Sequence, residues 1–130
     1  MNRIILLMFL LLTSGALTAS SLKSEFEHEQ VLSGKIGPHQ VVMHLDLDYF
    51  TIGEVVGYYY YKKRPKNRFT LVIHDYEAIN ASGSMNVVLY EYTSKGFHSG
   101  TFKGQYECRG DYYKGIFTNS KGKKFKFILE

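Results

Sequence analysis

The amino-acid sequence predicts an all-β protein, in which about eight antiparallel strands follow one another as an up-and-down meander. Three observations support this prediction. Apolar and polar residues alternate with a period of two along most of the chain, turn-forming residues recur between the alternating runs, and no stretch has the period of a convincing amphipathic helix. We expect the meander to close into a small barrel, and a two-sheet β-sandwich is the alternative.

The first 21 residues have the pattern of a secretory signal peptide. Arg3 precedes an apolar run from Ile4 to Leu12, and small and polar residues follow the run. The run is too short for a membrane-spanning helix, which needs about 20 apolar residues. We therefore expect cleavage near residues 20–22, no stable membrane span after cleavage, and a secreted or periplasmic mature protein.

The residues after the signal peptide are expected to form one domain. Segment 22–31 is a weak candidate for a helix, and residues 22–30 are interpreted as a lead-in to a single β-barrel domain over residues 31–130. A chain of this size buries enough surface to form one hydrophobic core. Cys108 is the only cysteine, so no intrachain disulfide exists and the fold depends on packing. We interpret Cys108 as an incidental thiol, with an intermolecular bridge as the alternative.

Three segments show the alternation most clearly. Residues 41–48 (VVMHLDLD) place valine, methionine and leucine on one side and valine, histidine and aspartate on the other. Residues 68–75 (RFTLVIHD) and 123–129 (KKFKFIL) repeat the pattern with phenylalanine, leucine and isoleucine. Strict alternation predicts strands with one buried and one solvated face, which is typical of antiparallel sheets.

Turn signals separate the predicted strands at steady intervals. Each contains glycine, proline, asparagine or aspartate, which allow or fix the backbone angles of turns. They lie at residues 37–39, 50–53, 64–67, 80–84, 94–96, 109–111 and 119–123. Short connections favour pairing between consecutive strands, and closure of the sheet removes its exposed edges. The expected architecture is therefore that of a small lipocalin- or avidin-like barrel.

Structural glycines and aromatics recur in three segments, SGKIGPHQVVMHL (33–45), VVGYYYYKK (55–63) and GTFKGQYECRGDYYKGIF (100–117). Their spacing resembles a family of small exported bacterial β-barrel proteins of uncharacterised function. That family has a G-x-I-G opening before an apolar strand, a Gly-Tyr-Tyr strand, and closing strands with G-x-F-x-G and G-x-aromatic repeats. The resemblance implies a bacterial exported barrel and carries over no catalytic residue.

Alternation also predicts which aromatic side chains face the barrel interior. Tyr59 and Tyr61 share a face with Gly57, and Phe102 faces inward by the same rule. Tyr59, Tyr61 and Phe102 are the candidate ligand-binding residues, because a small eight-stranded barrel either holds one small ligand or is filled by side chains. The inward set is bulky, which favours a filled interior: Met43, Phe69, Phe102, Tyr106, Tyr113, Phe117, Phe125 and Phe127.

Outward-facing tyrosines are the candidate partner-facing residues. Tyrosine offers a large rigid ring with a polar tip and is enriched at protein interfaces. The candidates are Tyr58, Tyr60, Tyr90, Tyr92 and Tyr112. A plain solvent-facing strand surface also accommodates tyrosine well, and this alternative stays open.

The charge of the chain is modestly positive, at +4, and two basic segments lie at residues 62–68 and 121–126. Basic turns beside tyrosines are typical of single-stranded nucleic-acid binding, but predicted export disfavours such a partner. An anionic surface such as lipid headgroups or a cell-wall polymer fits export better. Solvated turns without a partner are the other alternative.

The sequence contains no recognisable catalytic or metal-binding motif, so we expect no enzyme, no metal and no other cofactor. The histidines lack the H-x-x-x-H and H-x-H spacings of metal sites, and neither Cys-x-x-Cys nor the G-x-S-x-G elbow of hydrolases is present. Glu91 is the only acid on a predicted apolar face. We expect it at the mouth of the barrel, where that face ceases to be buried.

Export, the predicted barrel and the absence of catalytic motifs together indicate a function based on binding. The sequence predicts an exported non-enzymatic β-barrel protein that acts as a protein-interaction or envelope accessory module. The alternative is a binder of a small apolar or aromatic ligand in the barrel interior. The exposed tyrosines slightly favour the protein partner.

Overall fold

The computed structural model describes residues 26, 28–81, 83–109 and 112–130. The predicted signal peptide and its cleavage site lie outside the described residues. The described chain forms eight strands and no helix. The strands are β1 (Gln30–Ile36), β2 (His39–Leu45), β3 (Val55–Tyr61), β4 (Phe69–Ala78), β5 (Ser84–Tyr92), β6 (His98–Glu107), β7 (Tyr112–Asn119) and β8 (Lys124–Leu129).

The eight strands form one closed antiparallel barrel. Each strand pairs with the next in sequence, and β1 also pairs with β8, with Gly34 opposite Leu129 and Ile36 opposite Phe127. Closure pairs the first strand with the last, which is how small all-β proteins protect their sheet edges from edge-to-edge association. The predicted up-and-down barrel is confirmed, and the sheet is not a two-sheet sandwich.

The barrel has two ends that differ in their connections. Four hairpins turn at one end, at residues 37–38, 62–68, 93–97 and 120–123. We call this the basic end, because eight of these residues are lysine or arginine and none is aspartate or glutamate. The β2–β3, β4–β5 and β6–β7 connections turn at the opposite end.

Aromatic and aliphatic side chains fill the interior. Tyr59, Phe102, Tyr113 and Phe127 are among the largest fully buried side chains. The predicted inward set is confirmed: Met43, Phe102, Tyr106, Tyr113, Phe117 and Phe127 are buried, and Phe69 and Phe125 pack against this core while partly exposed. Burial of large rings is the main favourable contribution to a fold that contains no disulfide within the chain.

Two glycines show why the strands can coil so tightly. A Cβ atom at Gly115 would lie 2.2 Å from the carbonyl oxygen of Lys103, because β6 and β7 approach closely there. A Cβ atom at Gly100 would lie 2.4 Å from the ring of Phe117, which rests on the bare backbone. The glycine and aromatic spacing in the sequence therefore reflects packing.

Strand β2 ends earlier than the alternation predicts. The pattern runs through Asp48, but β2 ends at Leu45. The Asp46 carboxylate accepts hydrogen bonds from the backbone N–H groups of Asp48 and His28, both at 3.2 Å. An aspartate that satisfies nearby backbone donors in this way turns the chain out of the sheet, although its side-chain pattern still alternates.

Candidate functional site

The outer faces of β3 and β5 carry four of the five tyrosines predicted to face a partner. Tyr58 and Tyr60 lie on β3, Tyr90 and Tyr92 on β5, and all four are half-buried. The two strands are separated only by β4, where Thr70 is paired with both Tyr58 and Tyr92. The closed sheet thus brings these four side chains onto one side of the barrel.

Tyr58 is the centre of the first stack of side chains on this side. The ring of His44, on the neighbouring strand β2, stacks on it at 4.4 Å between centroids and 14° between planes. The guanidinium carbon of Arg68, just before β4, lies 4.1 Å from the Tyr58 centroid. His44 is itself held by Glu29, whose Oε2 is 2.5 Å from its Nδ1. Tyr58 is therefore flanked from both adjacent strands.

Tyr90 is the centre of the second stack. His74 on β4 stacks on it at 3.9 Å and 11°, and His98 on β6 stacks on it at 4.1 Å and 21°. The Tyr90 hydroxyl is also hydrogen-bonded to Nε2 of His74 at 3.1 Å. His98 is anchored in turn, since its Nε2 lies 2.9 Å from the carbonyl oxygen of Gly100. Two histidines on flanking strands thus hold one tyrosine ring.

The two stacks lie on neighbouring parts of the outer surface, joined through the pairing of Thr70 with Tyr58 and Tyr92. We call them together the tyrosine–histidine face: Tyr58, Tyr60, Tyr90, Tyr92, His44, His74, His98 and Arg68. The faces of its two central rings are covered by neighbouring side chains. The surface therefore presents ring edges and hydroxyl groups rather than open ring faces on which a nucleobase would stack. The stacked side chains are held by neighbours within the barrel itself.

Tyr112 does not belong to this face. It lies on β7 opposite Glu107, toward the opposite end of the barrel, whereas Tyr92 lies opposite His98 at the basic end. Its neighbour is Lys114, whose Nζ is 5.0 Å from the ring centroid. The sequence could not separate Tyr112 from the others, because alternation shows only which side of the sheet a residue occupies.

The three residues predicted to bind a ligand lie together at the basic end of the interior. Tyr59 and Phe102 are fully buried and meet edge to face at 5.3 Å. Tyr61 meets Tyr59 at 5.7 Å and is partly exposed. It also lines an open cleft of about 590 Å³ with Lys35, Pro38, His39, Gln40, Lys62, Lys63 and Arg64. Only Tyr61 of the three thus faces an accessible space.

Glu91 is buried inside the barrel, so its expected position at an unburied mouth is wrong. Only 4% of the residue is exposed, and its carboxylate accepts hydrogen bonds from the Tyr59 hydroxyl and, at 2.5 Å, from Ser99 Oγ. These donors satisfy the buried acid, which would otherwise carry a large desolvation cost. Donors from β3 and β6 therefore compensate the burial of this acid on the inner face of β5.

Burial raises the pKa of Glu91 above its ordinary value, and the hydrogen bonds from Ser99 and Tyr59 and the charge of His98 oppose this shift. Burial also raises the pKa of Tyr59 far above the ordinary tyrosine range, and the charge of Glu91 adds to the effect. The Tyr59 hydroxyl thus stays protonated and serves as a permanent donor. The arrangement is a buried polar network that joins three strands.

Other chemistry-bearing groups are dispersed. Among residues 26, 28–81, 83–109 and 112–130, no three histidine, cysteine, aspartate or glutamate side chains are grouped to hold a metal ion. Cys108 is an exposed free thiol beside a second cleft, of about 420 Å³, at the opposite end. Ser84 also lines that cleft, and its hydroxyl donates a hydrogen bond to Glu107.

Sequence reasoning missed the histidines of the face, because it considered them only for metal-site spacing. Each becomes a neighbour of a tyrosine only through the lateral register of the sheet, in which His44 pairs with Tyr58 and Tyr92 with His98.

The described residues contain no helix long and apolar enough to span a membrane. Comparisons with protein-family models, curated proteins and solved structures find no match to this chain.

Proposed function

We propose that the protein is an exported, non-enzymatic interaction module whose tyrosine–histidine face binds a protein partner. The single observation that carries this proposal is the pair of stacks centred on Tyr58 and Tyr90, which fix half-exposed aromatic rings on one side of the barrel. Solubility alone does not require rings to be ordered in this way on a solvent-facing strand.

Binding usually immobilises flexible side chains at an interface, and this ordering costs free energy. Each rotamer-rich side chain that a partner immobilises costs about 0.5–1.5 kcal/mol. The rings of Tyr58 and Tyr90 are already held by flanking side chains, so much of this cost is met during folding. Tyrosine and arginine are also enriched among the residues that dominate binding energy at protein interfaces. A protein partner uses ring edges and hydroxyl groups, which are what this surface presents.

A protein partner fits this geometry better than a small ligand in the barrel interior. Tyr59 and Phe102 are fully buried against other rings, and Tyr59 is also stacked on Phe69 at 5.1 Å. A ligand between them would have to displace packed side chains, at the cost of the contacts that stabilise the core. The tyrosine–histidine face needs no such rearrangement.

Export is the second part of the proposal. It is supported by the signal-peptide pattern of residues 1–21 and by the resemblance to small exported bacterial barrels. For a secreted or periplasmic protein, we propose an accessory role in the cell envelope. Sequencing of the amino terminus of the protein recovered outside the cytoplasm tests this part, and we expect it to begin near residues 20–22.

The partner-binding part is tested by site-specific photo-crosslinking in the exporting cell. A photoreactive phenylalanine analogue is placed at Tyr60 or Tyr92, which lie beside the two stacks and are not their central rings. The matched control carries the analogue at Ile116, which is 37% exposed on the outer face of β7. We expect one discrete protein adduct from positions 60 and 92 and none from position 116.

Substitution of the second stack then shows whether the face binds the captured partner. Tyr90→Leu should weaken its affinity at least tenfold, since residues that dominate interfaces contribute about 2 kcal/mol or more. Tyr112→Leu, on another part of the outer surface, should leave the affinity unchanged. Equal adducts from all three positions, or equal losses in both variants, would contradict the proposal.

A further inference from the structure

Charges are strongly segregated along the barrel axis. The hairpins of the basic end contain Lys62, Lys63, Arg64, Lys66, Arg68, Lys95, Lys121 and Lys123, all exposed. By contrast, the β2–β3 connection at the opposite end contains Asp46, Asp48 and Glu54. The net charge of +4 is therefore a poor description of the molecule, because one end is far more positive than the average.

Within the part of the chain that the structure describes, the positive charges at the basic end have no carboxylate in ion-pair contact. The nearest buried acid, Glu91, has a raised pKa and is satisfied by Tyr59 and Ser99. Clustered like charges repel one another, so their presence at one end costs stability that an anionic partner would recover.

A large apolar side chain projects from the same end. Phe97, at the end of the β5–β6 hairpin connection, is 67% exposed. The hairpin around it is ordered, since the N–H of Thr93 bonds to the carbonyl of Phe97 at 2.9 Å, and Thr93 Oγ1 accepts from the N–H of Phe97 at 3.2 Å. The exposure of the Phe97 ring therefore does not result from a disordered connection.

The cleft at this end provides space beside several cations. Lys35, Lys62, Lys63 and Arg64 line its volume of about 590 Å³, together with His39 and Tyr61. Arginine and lysine are the usual donors to phosphate oxygens, and none of the described residues that line the cleft is a carboxylate. A phosphate group fits this chemistry, whereas a purely apolar ligand does not.

We propose that the basic end docks on the surface of an anionic lipid bilayer, with Phe97 inserted at headgroup level and the hairpin cations bound to lipid phosphates. An extended anionic surface matches cations spread over three hairpins better than a point ligand does. An exposed aromatic beside lysines is the combination by which peripheral proteins add apolar insertion to electrostatic attraction. The bilayer contact goes beyond the proposed partner binding. Of the residues that define the tyrosine–histidine face, only Arg68 is also a cation of the basic-end hairpins.

Vesicle sedimentation of the purified protein tests this proposal. The vesicles contain phosphatidylcholine alone or phosphatidylcholine mixed with phosphatidylglycerol. We expect binding only to the mixed vesicles, with an affinity that falls steeply as salt is added. Each cation close to the surface changes affinity about fivefold, so the double variant Lys62→Gln, Lys63→Gln should bind about 25-fold more weakly and with a shallower salt dependence.

Two further variants separate the parts of the proposal. Phe97→Ser should weaken binding about tenfold while leaving the salt dependence unchanged, because it removes apolar insertion and no charge. The charge-matched control Lys103→Gln, Lys114→Gln lies on the barrel wall and should bind like the wild type. The proposal is overturned if the mixed vesicles are not bound, if neutral vesicles are bound equally well, if Phe97→Ser has no effect, or if the control loses as much affinity as the hairpin variant.

Discussion

The hydroxyl of Tyr59 on β3 donates a hydrogen bond to the carboxylate of Glu91 on β5, inside the barrel and past the intervening strand β4. The two residues are 32 positions apart in sequence. Their contact links the barrel core to the strand whose outer face carries Tyr90 and Tyr92. The acid is therefore part of the framework that supports the proposed binding surface.

Glu91→Gln tests how the buried acid affects stability. Because the folded pKa of Glu91 lies above that of the unfolded chain, the stabilising contribution of its protonated form is complete below about pH 4.3 and is lost as pH rises through the raised pKa. Glutamine mimics the protonated acid, so the variant should become more stable than the wild type as pH rises. Urea denaturation across pH measures this difference.

Glu77→Gln is the control for that comparison, since Glu77 is exposed on β4 and the variant has the same change in charge. Its stability should follow the wild-type curve. The charge of His98 favours the ionised acid and so opposes the raised pKa of Glu91. A variant that instead loses stability relative to the wild type at high pH would show that the ionised form stabilises the fold.

Tyr59→Phe tests the donor of the same hydrogen bond. Loss of a partner to a buried polar group costs about 1–3 kcal/mol, and the cost is larger when the group is charged. We expect the destabilisation to increase with pH as Glu91 ionises. Tyr113→Phe is the matched control, because the Tyr113 hydroxyl is also buried but donates to the neutral carbonyl oxygen of Val87 at 2.9 Å. Its cost should be about 1 kcal/mol. Equal and pH-independent losses for both variants would argue against an ionised Glu91.

The stack around Tyr90 should alter the NMR chemical shifts of the two histidines that flank it. The rings of His74 and His98 lie at 3.9 Å and 4.1 Å from the Tyr90 ring, close to face to face. Protons above an aromatic face are shielded, so the ring protons of both histidines should resonate upfield in NMR spectra. Tyr90→Leu should return them toward the values of free histidine and cost about 1 kcal/mol of stability. Tyr112→Leu should move neither signal. Unshifted histidine signals in the wild type would mean that the rings are not ordered in solution.

The fold was predictable because its determinants are local. Alternation and turn residues are read from neighbouring positions, and together they place Met43, Phe102 and Tyr113 inside the barrel. Pairing of consecutive strands produces a meander, and closing this sheet into a barrel protects its two edge strands. The end of β2 was misplaced because the backbone hydrogen bonds accepted by Asp46 are not visible in an apolar and polar pattern.

The binding surface was predictable only in part. Alternation identifies the outward side of Tyr58 and Tyr90, but the partners of each ring depend on the lateral register. Irregularities alter that register between Val55 and Gly57 and between Ile73 and Asp75. A one-residue shift of β4 would move His74 away from Tyr90, because side chains alternate between the faces of a strand. The histidines could therefore not be assigned to the face without the structure.

Phe102→Ala tests whether the barrel is filled or holds a ligand. The Phe102 ring meets those of Tyr59, Phe117 and Phe127 at 4.7–5.3 Å, so truncation should cost about 3–5 kcal/mol and leave an apolar cavity. The wild type should show no binding of benzene by calorimetry, whereas the variant should bind it, because dry apolar cavities of this kind accept small apolar molecules. Ile128→Ala, on the exposed outer face of β8, controls for the loss of a large apolar side chain. Saturable benzene binding by the wild type would instead favour an interior ligand and weaken the case for a filled barrel that acts only through its surface.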